Sequence, residues 1–360
     1  MLLGHRANRN GVEKYYGIHD VKFCPLDISF VSSGNDRCVH VWESSRRPYH
    51  DRSYKLHKFE ATPHALAFKP GTSTLAVAAK SVYVFPNLKR ESDPLQLKGG
   101  GNNYPHHLVG AICWGREATS NYLFASSEPP TDADAFTGWH RAFDLAKEQP
   151  LGQKMDATEA GDAIAIDSLG TKLVLATRVS NSSGVLRLYD IQRKDFKKAH
   201  TKITLEPYRR DIEGEIHDAA LSPDGVYLAL GRHDNRTHVY DSRFLGKGVL
   251  YDFRHDNFAT KTAPGSESCG VMKLQWVTNG SRLGLVSGGS DGCVRLWDVL
   301  QAANSPQNGV VLAEVNSDIS TFSLGDRFKG EHQLVVGDCT GEVTIFDRLY
   351  EPDFALNVAT

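Results

Sequence analysis

The sequence has no apolar run near the roughly 20 residues that a membrane-spanning helix requires. It also shows no signal-peptide core, because Gly4-His5-Arg6 follows directly on Met1-Leu2-Leu3. From these two absences we expect an intracellular protein, cytoplasmic or nuclear, that has no membrane partner.

Cysteine is scarce, and no two of the six cysteines stand in Cys-x-x-Cys spacing. Structural zinc sites usually carry such a pair, and disulfide frameworks belong to oxidising compartments. We therefore interpret the cysteines as reduced thiols and expect neither a disulfide framework nor a zinc site. They are Cys24, Cys38, Cys113, Cys269, Cys293 and Cys339.

An excess of charge is also missing, since 41 Lys and Arg stand against 43 Asp and Glu for a formal net charge of −2. Proteins that bind nucleic acid usually carry a basic surplus or a basic patch. The basic runs Arg46-Arg47 and Lys194–Lys198 are short, so we expect no nucleic-acid partner.

The sequence does contain a recurring unit of short strands separated by turn signals. In its best-preserved copy, Leu283–Val299, two apolar runs flank the turn Ser-Gly-Gly-Ser-Asp-Gly, which predicts a β-hairpin. We count seven units, with cores at 18–43, 63–85, 110–145, 161–191, 216–243, 270–299 and 318–347. A further strand-like segment lies between consecutive units, at Tyr54–Phe59, Pro94–Leu97, Gln153–Asp156, Lys202–Leu205, Val249–Phe253 and Val310–Val315.

The hairpin at Leu283–Val299 ends in Trp297-Asp298, the dipeptide that names the WD-repeat family, and the unit resembles a WD40 repeat. The resemblance implies an all-β fold, a seven-bladed WD40-type β-propeller with four-stranded antiparallel blades. We expect residues 1–350 to form this single propeller. Residues 351–360 would then be a C-terminal tail or an alternative closing strand.

The seventh unit needs an outer strand to complete the ring. Met1-Leu2-Leu3 is expected to supply it, because Gly-His commonly follows the outer strand in WD repeats and Gly4-His5 comes next. The alternative is Phe354–Val358. The absence of residues ahead of this strand suggests that the chain is a fragment or a trimmed gene model.

The resemblance also implies a structural tetrad, in which Trp, Ser or Thr, Asp and His bond to one another within a blade. The matching residues are His5, Ser32, Asp36 and Trp42 in the first unit, and Ser287, Asp291 and Trp297 in the sixth, with His255 as the candidate fourth member. Tyr189, Tyr240 and Phe346 replace Trp elsewhere, so those units keep an aromatic ring and lose its N–H donor.

The larger insertions fall on one face of the expected propeller, and loops on a rigid scaffold are where binding sites are usually built. We predict a non-enzymatic interaction scaffold that binds a protein or peptide on this loop-rich face. The alternative is that these insertions are tolerated surface loops that bind no partner. The candidate binding residues are Arg6, Arg9, Tyr104, His106, His107, Tyr208, Arg209, Arg210 and Arg254, with an acidic insertion, 128–136, facing them.

A more specific alternative is a substrate receptor of a cullin-RING ubiquitin ligase. Leu228–Arg243 resembles the box of such WD-repeat receptors, and the resemblance implies an adaptor contact through Tyr240, Asp241 and Arg243. The departures are Leu230, Arg232 and His233 where small residues are expected, and Ser242 in place of an apolar residue.

A third alternative is a hydrolase or metal site at the channel mouth. The residues expected there are His19, Asp20, His64, Asp162, His217, Asp218 and Asp318. A hydrated polar lining explains the same residues, and no phosphate loop or nucleophile motif accompanies them. We therefore expect no catalytic residue, no metal and no cofactor.

Overall fold

Short strands joined by tight turns make up most of this computed structural model. It describes residues 5–9, 12–43, 53–88, 93–99, 106–130, 136–147, 152–193, 195–205, 215–255, 269–279, 282–305, 307–326, 331–349 and 357–358. No helix among these residues is long and apolar enough to cross a membrane.

The N-terminal part of the chain forms a hairpin and three four-stranded sheets. Their strands are β1 (Arg6–Arg9), β2 (Val12–Tyr15), β3 (Ile18–Phe23), β4 (Phe30–Gly34), β5 (Cys38–Trp42), β6 (Ser53–Lys58), β7 (Ala65–Phe68), β8 (Leu75–Ala78), β9 (Val82–Phe85), β10 (Leu95–Leu97), β11 (Leu108–Trp114), β12 (Tyr122–Glu128), β13 (His140–Asp144) and β14 (Gly152–Lys154). The hairpin pairs β1 with β2, and the first, second and third sheets are β3–β6, β7–β10 and β11–β14 in chain order.

The remaining strands form four more sheets. They are β15 (Ala160–Ile166), β16 (Lys172–Ser180), β17 (Ser183–Asp190), β18 (Thr201–Thr204), β19 (Ile216–Leu221), β20 (Tyr227–Arg232), β21 (Arg236–Asp241), β22 (Tyr251–Arg254), β23 (Lys273–Asn279), β24 (Arg282–Gly288), β25 (Cys293–Asp298), β26 (Val310–Glu314), β27 (Ile319–Leu324), β28 (Leu334–Asp338), β29 (Val343–Phe346) and β30 (Asn357–Val358). The fourth and fifth sheets are β15–β18 and β19–β22, the sixth is β23–β26 with β30 beside β23, and the seventh is β27–β29.

Burial changes across a sheet in the way that the sequence pattern predicts. The second strands β4, β8 and β28 are buried at every residue, and they read as continuous apolar or small-residue runs. The outer strands β6 and β10 expose much of their length. An outer strand has one face in contact with the core, so it tolerates polar side chains on the other face.

The chain divides into two compact units. One contains Met1–Pro63, Gly231–His238 and Tyr251–Thr360, and the other contains His64–Leu230 and Val239–Leu250. In the first unit the sixth sheet packs on the seventh and the seventh on the first, through side chains such as Phe322 and Trp42. In the second unit the second to fifth sheets pack in sequence order, through side chains such as Phe124 and Leu186.

A β-bulge recurs near the start of the first strand of four sheets. The register shifts between Ile18 and Asp20, Val109 and Ala111, Gly161 and Ala163, and Ile319 and Thr321. The residues in the bulges are therefore His19, Gly110, Asp162 and Ser320. A bulge bends its strand and re-aims a side chain, so these four positions depart from the regular in–out alternation.

Only part of the expected ring closure lies among the described residues. Met1-Leu2-Leu3 lies outside the described residues, and the described part of the seventh sheet has three strands. The alternative closure by Phe354–Val358 is wrong for the two residues that are described, because β30 pairs with β23 through Val277 and Val358. The edge of β23 offers unpaired backbone groups, which a short strand can satisfy there.

Candidate interaction surface

The first sheet holds a closed set of side-chain hydrogen bonds around the Ser32 hydroxyl. Trp42 Nε1 donates to Ser32 Oγ at 2.8 Å, Ser32 bonds to His5 Nε2 at 2.8 Å, and His5 Nδ1 lies 2.8 Å from Asp36 Oδ1. These are the four residues that the sequence analysis grouped as a tetrad. His5 and Ser32 are fully buried, so each bond replaces one that water would otherwise supply.

The sixth sheet repeats this arrangement with His255 as its fourth member. Trp297 Nε1 donates to Ser287 Oγ at 2.7 Å, and His255 bonds to Ser287 at 2.7 Å and to Asp291 at 2.9 Å. Arg295 Nε adds a fourth contact at 3.0 Å from Asp291 Oδ2. The long stretch of sequence between His255 and β23 hides this partnership from sequence spacing.

The carboxylates of both tetrads are kept ionised by their partners. Burial alone would raise the pKa of Asp36, but hydrogen bonds from His40 and His5 outweigh it and lower the pKa. Burial likewise opposes ionisation of Asp291, and the contact with His255 lowers its pKa. Burial lowers the pKa of His5, so His5 is a neutral ring that donates from Nδ1.

The fourth sheet replaces the tetrad with an ion pair that the sequence analysis missed. Arg187 donates to Thr177 Oγ1 at 2.9 Å and to Glu159 Oε1 at 2.6 Å. Burial raises the pKa of Glu159, but the hydrogen bond from Arg187 dominates and the pKa falls to about 2. Tyr189, which stands in place of Trp, donates to Asp156 instead at 2.6 Å. The ten-residue spacing of Ser32 and Trp42 recurs in Thr177 and Arg187, and this signal could have indicated the pair.

Three carboxylates surround a single arginine where β12 and β16 end and β15 and β19 begin. Arg178 lies 3.1 Å from Glu215 Oε2, 3.6 Å from Asp162 Oδ1 and 3.9 Å from Glu128 Oε2. Phe136 lies under the guanidinium at 5.6 Å from its ring centroid. We call Glu128, Asp162, Arg178 and Glu215 the Arg178 cluster.

The Arg178 cluster is built around the bulge in β15, and burial raises the pKa of two of its carboxyl groups. The bulge turns Asp162 toward Arg178, and its side chain is fully buried. Burial, reinforced by the charge of Glu215, raises the pKa of Glu128 to about 7. Burial also raises the pKa of Asp162 well above its ordinary range. Three carboxyl groups thus share Arg178, and His217 Nδ1 lies 3.7 Å from Glu215 Oε1.

Comparison with known proteins identifies the architecture. A family model described as WD domain, G-beta repeat matches residues 259–298. A solved structure of the Dos1 propeller superposes with a TM-score of 0.68 at 21% identity, covering 96% of this chain and 81% of that one. The chain has a β-propeller fold, and residues 259–298 match the WD-repeat model. Its seven sheets are the blades, and the predicted seven-bladed fold with four-stranded antiparallel blades is confirmed.

Two curated proteins show how far the similarity extends. Rik1-associated factor 1 of Schizosaccharomyces pombe is 24% identical over 357 residues, which are 95% of this chain and 51% of that protein. The mitotic checkpoint protein bub-3 of Caenorhabditis elegans is 31% identical over 103 residues, 28% of either chain. The propeller thus spans about half the length of the first of these relatives.

The basic and aromatic residues predicted to bind a partner are only partly described in the propeller. Tyr104, Tyr208, Arg209 and Arg210 lie outside the described residues, and Arg6 and Arg9 lie in β1, whose side chains are not described. His106 is exposed and His107 is partly buried. Arg254 is exposed and bonds to Asp252 Oδ2 at 2.7 Å. The role of the whole set stays a prediction.

The proposed adaptor contact needs one correction. Tyr240 is 2% exposed and packs in the core between the fourth and fifth blades, so its side chain cannot reach an adaptor. Arg243 is 53% exposed and bonds to Asp241 Oδ2 at 2.7 Å. Phe244 is also exposed, with Arg243 and Lys247 over its ring at 5.8 Å and 4.5 Å.

The first His-Asp dipeptide proposed for the channel mouth does not form a paired acid–base site. His19 Nε2 bonds to Asn35 Oδ1 at 2.8 Å. Asp20 instead accepts from Lys22 at 2.6 Å and from Thr321 at 3.1 Å. These separate partners fit a polar lining better than a general base held by its neighbouring carboxylate.

Proposed function

We propose that this propeller is a non-enzymatic interaction scaffold that binds a basic side chain of a protein partner at the Arg178 cluster. The observation that carries the proposal is the buried Asp162 Oδ1, which accepts no hydrogen bond from a described residue and lies beside two acids that a ligand can reach. Glu128 and Glu215 are about a quarter exposed, at 25% and 28% of the side chain, so a ligand can reach them. Asp162 lies beneath them, fully buried.

A cationic group would stabilise the ionised carboxyl groups of the cluster. Asp162 Oδ1 accepts no hydrogen bond from any described residue, and its distance of 3.6 Å from Arg178 Nε is too long for one. A lysine or arginine entering between Glu128 and Glu215 would favour the ionised form of Glu128, whose pKa burial raises to about 7. It would also bring donors to a buried acceptor, and charge-assisted bonds of this kind are among the stronger ones in proteins.

Peptide arrays test this proposal directly. Peptides with a central Arg are compared with the same peptides carrying citrulline, and Lys peptides with acetyl-lysine peptides. We expect the wild-type chain to retain the charged peptides, and the double variant Glu128→Gln with Glu215→Gln to bind them at least about tenfold more weakly. Glu117→Gln, at an exposed acid of the same unit, is the matched control.

The double variant should remain folded, because it removes the cost of ionising Glu128, whose pKa is raised by burial and, to a smaller extent, by the charge of Glu215. Its melting temperature is therefore expected to equal or exceed that of the wild type at pH 8. Equal retention of citrulline peptides, or unchanged binding by a folded double variant, would refute the proposal. Charge reversal at Arg209 and Arg210 tests in parallel whether the predicted basic loops contribute.

Binding should also depend on pH in a defined direction. A bound cation favours the ionised form of Glu128, whose pKa in the free chain is about 7. Affinity for the Arg peptide should therefore rise between pH 6 and pH 8, and it should fall as protonation neutralises the cluster. Fluorescence anisotropy at constant ionic strength measures this, and the Gln double variant should show a flatter profile.

A second candidate function, the ubiquitin-ligase substrate receptor, is favoured by the surface at Arg243. An exposed Arg held by Asp241, beside an exposed Phe244 flanked by two cations, has the composition of an interface hot spot. Affinity purification with and without Arg243→Ala tests it. If the set of ligase subunits is unchanged, or if none is recovered, this function is excluded.

A further inference from the structure

Two cysteines that are 70 residues apart in the sequence meet in the first unit. Cys269 Sγ lies 3.7 Å from Cys339 Sγ. Cys269 stands just before the sixth blade, in a turn where Gly270 adopts a left-handed φ of 72° and donates its N–H to Ser290 Oγ. Cys339 begins the turn between β28 and β29, and its N–H donates to the Asp318 carbonyl at 3.1 Å.

The sulfur–sulfur distance is too long for a disulfide and can be compared with that between two thiolates on one zinc ion. A disulfide requires about 2.05 Å between the sulfurs. Two thiolates bound to one tetrahedral zinc ion, with Zn–S bonds near 2.3 Å, are separated by about 3.8 Å. The observed 3.7 Å is that of a hydrogen bond between the two thiols, and it is also compatible with the edge of a zinc coordination tetrahedron.

A carboxylate lies beside the two sulfurs. Asp318 is 1% exposed, and one of its oxygens lies within 4.8 Å of both sulfur atoms. A small side-chain rotation would bring this oxygen to the roughly 3.5 Å separation from each sulfur that a tetrahedral site requires. The hydroxyl of Ser320, the bulge residue of β27, lies 3.3 Å from Cys339 Sγ.

We propose that Cys269, Cys339 and Asp318 form a binding site for a zinc ion, with the fourth coordination position open to water or to a group of a partner. Two thiolates and one carboxylate supply the ligand types that zinc accepts, and two thiolates make the site softer than magnesium or calcium prefers. Binding displaces the two thiol protons, so affinity should increase with pH. The site lies in the first unit and is independent of the Arg178 cluster in the second.

Cobalt titration tests the site. The reduced chain is stripped with a chelator and titrated with Co²⁺, and thiolate-to-cobalt charge-transfer absorption is recorded. We expect one equivalent to produce the band and one equivalent of Zn²⁺ to remove it. Cys339→Ser should abolish the band, and Asp318→Asn should weaken binding at least about tenfold. Cys113→Ser is the matched control, because burial raises the pKa of Cys113 to about 12 and it should bind no metal.

The outcomes separate a metal site from a simple thiol contact. Absence of a band in the reduced chain, or an unchanged band in Cys339→Ser, overturns the proposal. So does a chain that takes up no cobalt but forms a Cys269–Cys339 disulfide on mild oxidation. Circular dichroism shows whether each variant is folded, and Cys269→Ala provides a second route if Cys339→Ser is not. By mass spectrometry, the wild-type chain loaded with zinc should hold one zinc ion, and the cysteine variant that remains folded should hold none.

Discussion

The hydroxyl of Ser287 connects Trp297 to His255 inside the sixth blade. Ser287→Ala leaves a buried indole N–H and a buried imidazole nitrogen without this partner. We expect a loss of about 2–4 kcal/mol in the free energy of unfolding, because each unpaired buried group costs about 1–3 kcal/mol. Urea denaturation followed by tryptophan fluorescence measures it.

The matched control for Ser287→Ala is Ser182→Ala, at an exposed position in the turn between β16 and β17. The control should change stability by less than about 0.5 kcal/mol. Equal effects of the two substitutions would mean that the tetrad does not stabilise the blade.

His140 predicts a pH dependence of stability. Its Nε2 donates to the Glu159 carbonyl at 2.9 Å and its Nδ1 accepts from Ser126, while burial lowers its pKa to about 4. In the unfolded chain this histidine binds a proton near pH 6.5. The stabilisation of the fold by neutral His140 is therefore fully present above pH 6.5, and it is lost as the pH falls toward 4. At pH 5 the loss is about 2 kcal/mol.

The His140→Gln variant provides the comparison, since glutamine does not titrate. The stability of the variant should fall less steeply between pH 6.5 and pH 4 than that of the wild type, by up to one proton in the slope. Parallel curves for the two proteins would show that His140 does not remain neutral in the fold.

Residue-scale prediction from sequence succeeded where a pattern is local. Ser287, Asp291 and Trp297 lie within one hairpin, and their spacing alone grouped them. The prediction that Tyr240 contacts an adaptor was wrong, because the sequence does not show whether an aromatic residue near the end of a strand packs inward or faces solvent. The intracellular location and the absence of cofactors also stay predictions.

At the level of elements, the bulges at the starts of β3, β11, β15 and β27 matter more for function than the strands themselves. The bulge residue Asp162 belongs to the Arg178 cluster, and Ser320 contacts Cys339. A bulge depends on how two strands align, so the apolar–polar alternation along one strand does not predict it. This is why the sequence located the seven units and named Asp162 and Asp318 at the channel mouth, but did not group Asp162 with Arg178 or Asp318 with the two cysteines.

The junction before β13 gives an element-scale prediction. A Cβ on Gly138 would lie 2.3 Å from the Ser127 carbonyl oxygen and 2.6 Å from that of Glu159. Both are backbone atoms, so Gly138→Ala must displace the bridge that joins Thr137 to Glu159. We expect it to destabilise the chain by about 1–3 kcal/mol in urea denaturation.

Gly246→Ala is the control for this junction, because a Cβ there would have no heavy atom of the described chain within 4 Å. It should leave the unfolding midpoint nearly unchanged. If Gly138→Ala proved equally harmless, the close approach of the third and fourth blades would be looser than the structure indicates.

At the scale of the whole molecule, the two candidate protein-binding surfaces lie at opposite ends of the strands in the fourth and fifth blades. The Arg178 cluster lies where β15 and β19 begin. At the other end, Ser168 donates to the Pro223 carbonyl between the turns that follow these strands, and Ser242, next to Arg243, bonds to Gly225. The seven residues of β15 separate the ends by about 20 Å.

This separation predicts independent binding. Charges about 20 Å apart are screened at physiological salt, where the Debye length is about 8 Å. Arg243→Ala should therefore leave the affinity for an Arg peptide unchanged, and the Glu128→Gln, Glu215→Gln variant should retain any Arg243-dependent association. Sequential pull-down, first on immobilised peptide and then with antibody to the ligase adaptor, should recover both partners on one chain. Mutual exclusion of the two partners would mean that they share a surface, and it would contradict the placement of the two surfaces at opposite ends of these strands.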